Sequence, residues 1–137
     1  MSERTVLVFG TFDGLHEGHL FLLREAKKLG TKLIVSVAQD SVVGQLKKHP
    51  PKHPLPERMA ALLQSGLVDE AVAGDRELGN FTAVRNWKPN IIALGYDQTK
   101  LEEKLGEFIA KENLPIQLIK ISAHEPNRLH SRLLRKN

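Results

Sequence analysis

Two histidines, His16 and His19, stand three residues apart in the segment G-T-F-D-G-L-H-E-G-H, which runs from Gly10 to His19. That spacing puts both side chains on one face of a first helical turn. A neutral imidazole keeps one ring N–H to donate, so the pair offers two donors to a single anion. Over a phosphate, such donors stabilise the charge that grows on its oxygens during displacement. Gly10, Gly14 and Gly18 suit the same task, because backbone without a Cβ takes unusual angles and lets a phosphate come close.

The flanking residues supply the setting. Upstream, T-V-L-V-F at 5–9 is short, apolar and β-branched, the mark of a strand buried on both faces. Downstream, Leu22, Leu23, Ala26 and Leu29 repeat at helical spacing across 17–29, with Gly30 placed to end the helix. A turn between strand and helix faces unpaired backbone N–H groups and the positive end of the helix dipole. The segment therefore reads as an anion cradle. A zinc pair of the protease kind needs a spacing of four and a third ligand, and neither is evident. Neither G-x-x-x-x-G-K-S/T nor G-x-G-x-x-G is present, so the two commonest nucleotide-binding loops are set aside. Chance placement of two surface or core histidines is the bland alternative, and the glycine-flanked turn weighs against it.

Further along, the pattern predicts strands at 33–37, 68–73, 91–94 and 116–121, and helices at 57–63, 81–87, 99–111 and 129–136. Pro54 and Pro56 precede or open the helix at 57–63, where proline is tolerated. Residues 40–56 read as one long irregular loop, a length that is usually functional or mobile. Alternation of strand and helix predicts a single α/β domain over 1–137, a doubly wound, Rossmann-like parallel sheet of about five strands with helices on both faces. In such sheets ligands bind beyond the carboxyl ends of the strands, which is where the histidine segment lies.

Composition narrows the function classes. Of 137 residues, 41% are apolar and 26% charged, which predicts a globular core. A formal charge of +4 suits nucleic acid or phosphorylated small molecules, but 5% aromatic residues are few for stacking on bases, so nucleic acid is the weaker expectation. There is no cysteine, hence no disulfide, thiolate metal site or thiol nucleophile. No apolar run approaches the roughly 18 residues of a membrane span, and no leader pattern opens the chain, so the expected location is cytoplasmic without membrane contact.

The ten-residue segment resembles the G-x-F-D-x-x-H-x-G-H signature of the cytidylyltransferase-like nucleotidyltransferases. That resemblance implies that His16 and His19 contact the nucleotide phosphates and stabilise the transition state. It implies that Gly10, Thr11, Phe12, Asp13 and Gly18 shape the nucleotide site. Lys47 or Lys48 would match lysines that close over the reacting phosphates, and Arg58 an arginine that holds phosphate at a helix start. The family's closing I-S-S-T-x-I-R corresponds to L-H-S-R-L-L-R at 129–135, so Ser131 and Arg132 would face the triphosphate, with Arg132 supplying charge where the family has a hydroxyl. A magnesium or other divalent cation is implied with the nucleoside triphosphate, with no dedicated protein metal site. A homodimer is plausible by resemblance alone.

Nucleotidyl transfer fits the inventory of cations. The acceptor is a phosphate oxygen that is already anionic, so positioning and neutralisation of charge do most of the work. G-Y-D-Q at 95–98 and R-L-H-S at 128–131 look closer to the small archaeal FAD synthases, which join AMP from ATP to FMN, than to the glycerol-3-phosphate cytidylyltransferases. Asp97 would then line the nucleotide pocket. CTP with glycerol 3-phosphate is the second expectation; pantetheine-phosphate and nicotinamide-mononucleotide adenylyltransferases share the fold. Outside that class stand a nucleotide sensor and a nucleic-acid-binding module resting on K-K-H-P-P-K-H-P at 47–54.

Overall fold

The computed structural model describes residues 3–77 and 79–122. Five parallel strands form the sheet: β1 (Thr5–Gly10), β2 (Lys32–Val37), β3 (Glu70–Ala73), β4 (Ile91–Leu94) and β5 (Gln117–Lys120). Their spatial order is β3-β2-β1-β4-β5. The chain first winds outward from β1 to β3, then crosses back to β4 on the other side of β1. The order therefore reverses between β1 and β4, and that is where a crevice opens.

Strand β1 shows why Val6, Leu7 and Val8 are apolar in succession. Val6 and Val8 join one buried cluster with Leu23, Ala26 and Leu62, from α1 (Glu17–Lys27) and α3 (Leu55–Gln64). Leu7 turns to the opposite face and packs with Val84 and Leu105, from α4 (Thr82–Trp87) and α5 (Thr99–Glu112). Helices cover both faces of the sheet, so the alternation of a half-exposed strand is absent.

Two sequence expectations need correction. Residues 40–56 are not one irregular loop, because Asp40–Lys47 forms helix α2. Its eight residues bury Val42 and Val43, but Gly44 and the prolines that follow hide the period. Gly30 also serves another purpose than a left-handed cap. The cap of α1 is Lys28 in right-handed geometry, and Gly30 is there because a Cβ would collide with the carbonyl oxygen of Arg4. The expected helix at 129–136, with Ser131 and Arg132, lies outside the described residues.

Candidate functional site

Helix α1 begins on the histidine pair. His16 is its N-cap, and its Nδ1 accepts from the backbone N–H of Gly18 (3.1 Å) and of His19 (3.4 Å). The His19 ring answers by accepting the backbone N–H of His16 at Nδ1 (3.4 Å). This is a capping box built from two imidazoles. Because His16 Nδ1 accepts, its proton sits on Nε2, which leaves that nitrogen as a donor. The two rings stack with centroids 3.7 Å apart, and Phe12, buried beneath, meets His19 edge-on at 5.2 Å.

The electrostatics keep His19 neutral. Its pKa lies below the ordinary imidazole value, chiefly because burial penalises the charged form and then because of the neighbouring His16 ring, with a smaller push from Lys47. The Gly14 carbonyl, and less so Asp97, pull the other way. A neutral ring at pH 7 can accept at one nitrogen and donate at the other, as the cap demands.

Beside the pair lies a cavity of about 370 Å³ between the ends of β1 and β4, lined by Gly10, Thr11, His16, His19, Lys47 and Asp97 among others. A second cavity of about 470 Å³ adjoins it, walled by Phe9, Val42, Leu46, Phe81 and Leu101. Phe9, Gly10, Thr11 and Gln98 line both, so they form the partition. Gln98 spans the crevice: its Nε2 donates to the Phe9 carbonyl (2.9 Å) and its Oε1 accepts from Gly95 N–H (2.8 Å). Sequence reasoning assigned Gln98 nothing. A bond across 89 residues leaves no local pattern.

The remaining expected residues divide. Lys47 reaches the polar cavity; Lys48, in left-handed geometry at the end of α2, lines a separate surface groove with Asp40, Gly44 and Pro50. Asp13 also borders the polar cavity, but its carboxylate accepts the backbone N–H groups of Lys52 (2.7 Å) and His53 (2.9 Å). Those bonds, the Lys52 one first, hold its pKa below the usual value. Arg58 departs furthest from expectation. Its side chain is fully buried, and its Nε, Nη1 and Nη2 atoms donate to the carbonyls of His53 and Thr11 (both 2.9 Å) and to Asp40 Oδ1 (2.6 Å).

Comparison with known proteins bears on this geometry. The family model described as cytidylyltransferase-like matches residues 7–137. The chain belongs to the cytidylyltransferase-like family. Within it, an FAD synthase of Archaeoglobus profundus is 44% identical over 122 residues, which cover 88% of this chain and 76% of that one. An FAD synthase of Methanoregula boonei is 39% identical over 133 residues, covering 96% and 86%. Among solved structures, the lipopolysaccharide core biosynthesis protein of Thermoplasma volcanium superposes with a TM-score of 0.82 at 35% identity, over 90% of this chain and all of that one. Pantoate-beta-alanine ligase of Francisella tularensis, at 17% identity and a TM-score of 0.65, shares the fold alone. The cytidylyltransferase-like family's histidine motif thus sits at the switch point of the sheet. Among the described residues, no helix is long and apolar enough to cross a membrane.

Proposed function

We propose that this chain catalyses the FAD synthase reaction, joining AMP from ATP to FMN with release of pyrophosphate. The observation that carries this reading is the partition at Gly10 and Thr11, with the stacked histidines over a polar cavity on one side and an apolar cavity on the other. The curated relatives named FAD synthase, at 39–44% identity over most of the chain, supply the substrate pair.

In the reaction an FMN phosphate oxygen forms a bond to the α-phosphorus of ATP. The bond from that phosphorus to the bridging α–β oxygen breaks, and its electrons leave with pyrophosphate. No proton transfer is required at the nucleophile, which is anionic at neutral pH. The Nε2–H of His16 and the ring of His19 face the phosphates and meet the charge that builds as the leaving oxygen departs. Lys47 adds positive charge at the same cavity. The triphosphate occupies the polar cavity, and the flavin ring system, flat and largely apolar, takes the walls of Phe9 and Phe81.

A divalent cation fits this site as a passenger of the triphosphate. Of the two carboxylates that line the polar cavity among the described residues, Asp13 is committed to backbone N–H groups and Asp97 has no such bond, and magnesium is ordinarily held by one or two carboxylates plus substrate phosphates. Among the described residues no cluster of three or more His, Cys, Asp or Glu forms a cage. When bound, the ion would neutralise charge on the leaving pyrophosphate. Ser131 and Arg132 keep the triphosphate-facing roles their motif implies, and a cytoplasmic setting suits both substrates.

The test pairs ATP or CTP with FMN or glycerol 3-phosphate in the presence of Mg²⁺. FAD and pyrophosphate are expected in equal amounts from ATP and FMN alone. CDP-glycerol from CTP would overturn the acceptor assignment, since a three-carbon polyol makes no use of the apolar cavity. Pyrophosphate from none of the pairs would leave a nucleotide sensor as the better account.

A further inference from the structure

Arg58 is the largest fully buried side chain among the described residues that carries a charge. Three segments meet on its guanidinium. Thr11, which opens the phosphate turn, contributes one carbonyl; His53, in the segment between α2 and α3, contributes another; Asp40, the first residue of α2, contributes a carboxylate. Asp13 closes the ring from the other side by accepting the Lys52 and His53 N–H groups. A planar group with five donors in a fixed fork suits such a junction, whereas a lysine ammonium is a point charge.

The consequence falls on Lys47. Helix α2 is only eight residues long, with Asp40 at one end and Lys47 at the other. Fixing the first residue against the phosphate turn therefore fixes where the last one delivers its charge. The proximity is already felt, because Lys47 is among the groups that lower the His19 pKa.

We propose that Arg58 is a positioning residue: through Asp40 it registers α2 on the phosphate turn and so sets the place of Lys47, without touching phosphate itself. This rests on the reading of Lys47 as part of the transfer site. It replaces the expectation of Arg58 as a phosphate ligand, since its Nε and both Nη atoms each donate to a protein oxygen and its side chain is closed to solvent.

A double-mutant cycle on the intact chain decides it, with FAD formation and the KM for ATP read separately. Asp40 is half exposed at its side chain, so Asp40→Ala removes the link to α2 and leaves the other two Arg58 bonds in place. Asp40→Ala is expected to lower kcat about tenfold with Lys47 present, and less than about twofold in a Lys47→Ala background. Asp40→Asn, which keeps an acceptor oxygen, should recover most of the loss. Arg58→Lys should lower kcat at least as much as Asp40→Ala with little change in the KM for ATP. If Arg58→Lys does not fold, the Asp40 cycle carries the test alone. Equal losses in both backgrounds, or a rise in KM without a fall in kcat, would overturn the proposal and restore a direct phosphate contact. Full activity of Lys47→Ala by itself would instead remove the reading on which the proposal stands.

Discussion

The two sides of the candidate site are held in opposite ways. On the α1 side, the histidine pair is fixed by bonds that span two or three residues. On the α2 side, residues 52 and 53 and the turn at Thr11 are fixed by bonds that span 39 to 47 residues. The first arrangement forms whenever the helix starts. The second exists only once the sheet, α2 and α3 have come together. The histidine turn is thus a local device, and the lysine reaches it through a brace that the whole fold must assemble.

The largest effect should come from the local side. His19→Ala is expected to lower kcat by about 10² or more, the usual cost of losing one transition-state donor, with the fold retained. Near-normal turnover would remove His19 from the mechanism. The other side gives the next contrast. Lys47→Ala should cost about tenfold in kcat, while Lys48→Ala, its neighbour in sequence, should cost less than twofold. Equal losses would mean that the separation of the two lysines into different cavities has no bearing on catalysis.

Those contrasts also mark what was legible before the structure. The strands, the parallel sheet and the histidine turn announce themselves through short-range signals: apolar runs, helical spacing, glycines and a ten-residue motif. The choice between Lys47 and Lys48 does not, because it depends on where α2 ends, and Gly44 with the following prolines conceals that helix. The burial of Arg58 and the strut made by Gln98 were illegible for the same reason. Each joins segments far apart in sequence, and neither residue type carries a pattern that says which distant carbonyl it will meet.

A smaller effect separates the two jobs of His16. His16→Ala should cost about 1 kcal/mol of stability through loss of the cap and lower kcat as well. His16→Asn should restore most of the stability, since asparagine caps well, but not the rate. Denaturant unfolding and turnover on both variants check this, and recovery of both together would make the residue a cap alone.

The smallest effect is in pH dependence. A histidine with a depressed folded-state pKa favours folding in its neutral form. Its contribution is complete above about pH 6.5 and is lost as pH falls below that value. Asp69, whose pKa is lowered first by its bond to Lys27 and then by the Leu33 N–H, loses its contribution only below about pH 4. Unfolding free energies measured from pH 8 to 3 should therefore show two separate declines, with His19→Ala flattening the upper one and leaving the lower one intact.

The most direct measurement follows the histidine rings by long-range ¹H–¹⁵N NMR while an unreactive ATP analogue is added with Mg²⁺. Of the six histidines, His16 should start with its proton on Nε2 and His19 should start neutral, and the Nε2 signals of both should move as the analogue binds. Binding that leaves both rings unshifted, or a His16 ring protonated on Nδ1, would contradict the claim that this pair faces the phosphates as donors.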